Sequence, residues 1–197
     1  MVKEFLTEKR LNKFKAVAKA RQHTLHLVLE NVHDPHNVSA VLRTCDAAGI
    51  PAVSLLYYLE KFPRIGKKSS ASAVKWIEKE KYTDIKQCYN SLKQQGYKIY
   101  ATSLTEGSIN LYNVDFTDKC AVVLGNEHRG VSDEAAALAD KKIYIPMFGM
   151  VQSLNISVAA AVIIYEALRQ RLAKGMYNES SLNKKELDLV IDKWCRK

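Results

Sequence analysis

An α/β fold, a mostly parallel sheet flanked by helices, is predicted by two features of the sequence. Apolar runs of strand length alternate with segments whose apolar residues recur at helical spacing, and Gly, Pro or Asp turn signals separate them. Strands spaced this way need crossover connections, which lay helices on both faces of a parallel sheet. The 197 residues are about 1.3 times a ~150-residue domain, so one compact unit with extended ends is expected rather than two domains.

The first 22 residues carry seven cations (Lys3, Lys9, Arg10, Lys13, Lys15, Lys19, Arg21) around apolar positions 11, 14 and 18, the pattern of a basic amphipathic helix. Leu25–Leu29 reads as a strand. Asp34 as cap and Pro35 at the first position then open a helix with Val38, Val41, Leu42 and Cys45 on one face, ended by Gly49. Ala52–Tyr57 is the second strand, and Lys61–Ser72, with Pro63 and Gly66, reads as a mobile basic loop. A helix over Asp84–Gln95, stopped by Gly96, leads to the strand Tyr97–Ala101 with Thr102 at its end. Further on come the strand Cys120–Leu124, a helix opening at Ser132, the strand Ile143–Ile145 and a long helix from Ile156 to Leu172. After Gly175 a polar linker precedes a terminal helix with Leu187, Val190, Ile191 and Trp194. The expected organisation is a basic extension (1–22), a core (23–172) and a C-terminal extension (173–197).

With 47% hydrophobic and 26% charged residues, wholesale disorder is excluded. The apolar run Ile156–Tyr165, interrupted by Ser157, falls short of the ~20 residues of a membrane span, and the charged start lacks the apolar stretch of a secretory signal. No membrane partner and a cytoplasmic location are therefore expected. Cys45, Cys88, Cys120 and Cys195 stand singly, without a C-x-x-C pair or a companion His cluster, which points to reduced thiols without a disulfide partner or a metal. A net charge of +9 favours a polyanionic partner such as nucleic acid. His23, His26, His33, His36 and His128 show no ligand spacing and read as polar surface or RNA contacts.

Ligands of open parallel sheets bind outside the carboxyl ends of the strands, so the loops after Leu29, Leu124 and Ile145 are the candidates. The eight glycines form neither G-x-G-x-x-G nor a P-loop, which argues against an ordinary dinucleotide or triphosphate cradle. Gly125-Asn126-Glu127-His128-Arg129-Gly130 offers a carboxylate, a cation and glycines for close backbone approach, although a tight βα turn uses the same residues. Pro146 through Asn155 offers Met147, Phe148 and Met150 with backbone freed by Gly149, an apolar slot for an adenine-sized ligand, or else a covering loop whose Ser153 or Asn155 caps the next helix. Arg43 lies within reach of Asp46, so a surface pair is the plain alternative to a functional Arg43.

Three segments, Asn31–Thr44, Leu124–Val131 and Ile145–Ala161, together resemble the TrmH family of SPOUT-class RNA 2′-O-methyltransferases, in the family's order and spacing over roughly residues 22–175. The wording Gly149-Met150-Val151-Gln152-Ser153-Leu154-Asn155 is most similar to the branch that methylates the D-loop guanosine at position 18 of tRNA. The resemblance implies a C-terminal trefoil knot, a homodimer, tRNA as partner and S-adenosylmethionine as cofactor. It implies Asn37, Arg43, Glu127, Ser153 and Asn155 as catalytic positions, and Thr102, Leu124, Gly125, Asn126, Ile145, Met147, Ser153, Leu154 and Asn155 as cofactor-binding ones. Arginine stays protonated, so Arg43 is expected to grip a neighbouring phosphate and stabilise the developing alkoxide, with that phosphate as the candidate base and Glu127 and Asn37 positioning it or the ribose. The alternatives are a sister enzyme acting on ribosomal RNA or the anticodon loop, and a non-catalytic RNA-binding protein, which the retained Arg43, Glu127, Ser153 and Asn155 argue against.

Overall fold

The computed structural model describes residues 6–65 and 73–197. Among them, β1 (Leu25–Glu30), β2 (Ala52–Leu56), β3 (Glu78–Tyr82), β4 (Lys98–Thr102), β5 (Ile109–Asn110), β6 (Cys120–Leu124) and β7 (Lys141–Tyr144) form one sheet. The order is β3-β2-β1-β6-β4-β7-β5, and every pairing is parallel. Register from Leu25↔Cys120 to Leu29↔Leu124 brings the carboxyl ends of the central strands β1 and β6 to one edge.

Side chains alternate across a strand, so β1 and β6 feed two cores. Leu25, Leu27, Leu29, Val122 and Leu124 face α2 (Pro35–Ala47) and α6 (Ile156–Ala173). Val28, Ala121 and Val123 face α4 (Ile85–Gln94) and α5 (Asp133–Leu138). The predicted caps are in place: Asp34 Oδ1 accepts from the His36 N–H at 2.8 Å, Pro35 opens α2, and Gly49 leaves it at φ +81°. Ser132 caps α5 and Asn155 caps α6.

The terminal helices α1 (Glu8–Ala20) and α7 (Lys184–Cys195) pack together instead of standing as separate arms. Phe14, Trp194 and Trp76, the last from the short α3 (Ala73–Trp76), form an aromatic cluster with ring centroids 5.5–6.1 Å apart. Two buried arginines fasten the ends to the core. Arg21 donates to Asp46 Oδ1 at 2.5 Å and to the Ile50 carbonyl at 3.1 Å. Arg171 spends its five N–H donors on Phe116 O, Gln22 Oε1, Thr24 Oγ1, Thr24 O and Asp118 O, tying the end of α6 to the starts of β1 and β6.

Several sequence expectations are corrected. β3, β5 and α3 were not anticipated, since Glu78-Lys79-Glu80-Lys81-Tyr82 has no apolar alternation; β3 is an edge strand, where charges protect against further pairing. β7 begins two residues early, at Lys141, because Lys141 and Lys142 pair with Tyr100 and Ala101 of β4 although the Lys141 side chain reaches solvent, so the apolar pattern does not mark the start. His26 is not a surface residue: it is buried in β1, 2.8 Å from Ser54 Oγ, and burial lowers its pKa to about 4. The Arg43–Asp46 pair, the plain alternative for Arg43, is not formed, and Asp46 pairs with Arg21 instead. The basic loop Lys61–Ser72 lies outside the described residues from Gly66 onward, as does Lys3.

Candidate active site

The carboxyl ends of β4, β6 and β7 open into a cavity of about 490 Å³, a size suited to a cofactor. Thr102, Leu124, Gly125, Asn126, Glu127, Ile145, Met147, Ser153, Leu154 and Asn155 all line it, so segments up to some fifty residues apart in the chain converge there. Leu111, Ile143, Ile156 and Ile163 add apolar wall.

One side of the cavity is held by a chain of side-chain hydrogen bonds. Glu127 Oε2 accepts from the His33 N–H at 2.8 Å, and Oε1 accepts from the Asp34 N–H at 3.2 Å and Asn37 Nδ2 at 2.8 Å. Asn37 Oδ1 accepts from Asn155 Nδ2 at 3.1 Å, and Asn155 Oδ1 accepts from Ser157 N–H and Oγ–H. All three sequence motifs are thus joined by hydrogen bonds through Glu127, Asn37 and Asn155. Burial raises the Glu127 pKa, but the bonds from Asn37 and the two backbone N–H groups outweigh it and hold the carboxyl below its ordinary value.

Asn31 was missed by sequence reasoning, yet it anchors this side. At φ +48° it is, among the described residues, the one non-glycine in the left-handed region. Its Oδ1 accepts from the N–H groups of Tyr58, Leu59 and Glu60, and its carbonyl accepts from Asn126 Nδ2 at 2.8 Å. The readable signal was an asparagine directly after a strand, since Asn tolerates this conformation better than most residues.

Asn126 lines the cavity but commits its polar atoms elsewhere: Oδ1 accepts from His128 and Arg129 N–H, and its backbone pairs with Gly130. Gly125 is required for a different reason than ligand approach. A Cβ there would stand 2.0 Å from the Gly130 carbonyl carbon, so the turn closes so tightly that only hydrogen fits. Gly130 itself takes φ +70°, as a tight turn demands.

The opposite side is unlike this. No backbone group of residues 146–154 makes a hydrogen bond to another described residue, leaving N–H and C=O groups of Met147, Ser153 and Leu154 available at the cavity. Apolar walls with free backbone donors and acceptors fit the flat, polar-edged adenine and aliphatic chain of S-adenosylmethionine. Thr102 contributes wall, its hydroxyl donating to the Val123 carbonyl at 3.0 Å. The expected slot of two methionines and an aromatic is corrected: Met147 lines the cavity, whereas Phe148 and Met150 are 97% and 100% exposed. Gly149 has no neighbour that a Cβ would meet. Arg43 does not line the cavity either; it lies on the exposed side of α2 with no hydrogen bond or ion pair among the described residues.

A parallel α/β sheet with a cofactor-sized cavity over the carboxyl ends of β4, β6 and β7 defines the class, a cofactor-binding α/β scaffold. The sequence pattern of the SpoU rRNA Methylase family matches residues 24–165, and the chain belongs to that family. It is 44% identical over 191 residues to the tRNA (guanosine(18)-2′-O)-methyltransferase of Thermus thermophilus, covering 97% of this chain and 98% of the relative. With the enzyme of the same description from Aquifex aeolicus it shares 44% identity over 199 residues, covering 99% and 93%. The crystal structure of the A. aeolicus TrmH/SpoU tRNA modifying enzyme superposes with a TM-score of 0.90 at 42% identity, covering 96% of both chains.

Proposed function

We propose that this protein is an S-adenosylmethionine-dependent tRNA ribose 2′-O-methyltransferase acting on guanosine 18 of the D-loop, in the cytoplasm. The supporting observation is the junction of Glu127, Asn37 and Asn155 at the rim of the cavity, together with near-full-length relatives of that activity. When bound, the cofactor supplies an electrophilic methyl group on a sulfonium. The chain's own residues then have separate tasks. Leu124, Ile145, Met147 and Leu154 exclude water around the cofactor, and the free backbone groups of 146–154 orient it. Glu127 stays ionised and holds the first turn of α2, the helix that carries Arg43. Arg43 grips a phosphate beside the reacting hydroxyl, whose proton passes to a phosphate oxygen.

Val158, Tyr165 and Leu172 form an exposed stripe at seven-residue spacing on α6, beside the exposed side of α2. This supports a homodimer through that face, with Arg43 at its margin, and sedimentation should give about twice 22.3 kDa. The trefoil knot belongs to the same reading, as does the division into a core at 23–172 with extensions at 1–22 and 173–197. The cations of α1 and α7 support RNA binding by the terminal cap. The deciding experiment incubates unmodified tRNA with the protein and S-adenosylmethionine and maps ribose methylation. Methylation at guanosine 18 is expected, and absence of transfer to any tRNA overturns the reading.

A further inference from the structure

Arg129 has no task in the mechanism above, yet its position is specific. It lines both the cofactor-sized cavity and an adjoining one of about 270 Å³ bounded by Glu30, Asn31, Tyr58 and Ser132. Its Nη2 donates to Glu60 Oε1 at 2.9 Å, while the other oxygen of the same carboxylate lies 3.4 Å from His33 Nδ1. Glu60 is fixed from behind, its N–H bonded to Asn31 Oδ1. His33 is fixed too, its N–H bonded to Glu127. A bridging carboxylate between a guanidinium and an imidazole presents two oxygens much as a phosphodiester does. Arg129 and His33 are both largely exposed, so solvent screens the contacts and a stronger anion can take them over.

We propose that Arg129 and His33 form a seat for an RNA phosphodiester at the rim of the active site, which the Glu60 carboxylate fills in the free protein and vacates when RNA arrives. The inference rests on the proposed function and deepens it by naming a substrate contact. An acidic residue at the mouth of an RNA site then serves as a resident counter-ion: it keeps both donors converged, and nucleic acid without the right backbone path must displace it.

The test measures affinity for unmodified tRNA and its salt dependence in wild type, Glu60→Gln, Arg129→Ala and the double variant, with melting temperatures to confirm folding. Glu60→Gln should tighten binding about three- to tenfold, because the competing charge is gone. Arg129→Ala should weaken binding about tenfold and reduce the log–log salt slope by about one. The double variant should match Arg129→Ala, since Glu60 acts through Arg129, and Arg129→Lys should recover part of the loss. If Glu60→Gln weakens binding as Arg129→Ala does, the contact is a structural strut and the proposal falls. Unchanged affinity in both variants overturns it as well, and so does tight binding of inorganic phosphate, which marks a free-anion site. A wild-type protein that methylates tRNA while these results fail isolates the error to the seat; a wild type that methylates no tRNA removes the underlying reading.

Discussion

The two sides of the cavity are built on opposite plans. Along the side made by α2 and the loop after β6, nearly every polar atom has a partner, from Asn31 through Glu127 and Asn37 to Asn155. Across from it, residues 146–154 have no backbone hydrogen bonds to the described residues, and Phe148 and Met150 stand in solvent. The first side holds catalytic groups where misplacement is costly. The second keeps its bonding capacity for what binds. A methyl transfer needs both, a fixed frame for the nucleophile and an adaptable one for the donor.

The largest effect is expected where the fixed side closes its tightest turn. Gly125→Ala puts a methyl into the Gly130 backbone, and a loss above about 4 kcal/mol, read by denaturant melting, should leave little folded protein. A variant of wild-type stability would show the fixed side to be pliable. Next, Arg43→Ala should lower kcat about 10²–10³-fold with melting temperature and cofactor affinity retained, since Arg43 supports no packing. Single-turnover methylation and calorimetry check this, and near-normal turnover would reduce Arg43 to a surface charge.

Acid tests the foundation of the fixed side. The folded His26 pKa, about 4, lies below its unfolded value of 6.5, so the unfolded chain binds the extra proton. Stability is full above pH 6.5 and falls between 6.5 and 4, by about 3 kcal/mol in the limit. His23, also lowered by burial, acts in the same direction. Melting curves of His26→Gln should be flatter over this window; identical pH profiles would contradict the assignment. Smaller still, Glu127→Ala should cost about 1–2 kcal/mol by unpairing three donors, while lowering kcat through the misplaced start of α2. The smallest change belongs to the open side: Phe148→Ser with Met150→Ser should alter chain stability by no more than about 0.5 kcal/mol. A large drop in the melting temperature would mean that this segment is covered in solution.

The same contrast explains what the sequence disclosed. Helix starts were legible because Asp34, Ser132 and Asn155 act locally, through bonds to N–H groups two or three residues away. The central strands were legible because β1 and β6 are buried on both faces. Glu127 and Asn155 stood out locally, as a loop carboxylate and a helix cap, but their joint role with Asn37 came from resemblance alone, since no spacing rule could join residues 90 and 118 positions apart. Edge strand β3 was hidden by its charges, and the exposure of Phe148 and Met150 by composition, which says apolar but not where a loop points. Asn31 and Glu60 escaped because their importance lies in contacts between loops.

The aromatic cluster at the chain ends has a spectroscopic consequence. The protein contains two tryptophans, and both belong to it, 5.6 Å apart and flanked by the cations of Arg21, Lys75 and Lys197. Tryptophan emission, excited selectively over tyrosine, therefore reports on the junction of α1, α3 and α7 and not on the cofactor cavity, which no tryptophan lines. Because Arg21 also bonds Asp46 on α2, a rapid-mixing trace should register arrival of a polyanion at the termini separately from cofactor entry, without any label being attached.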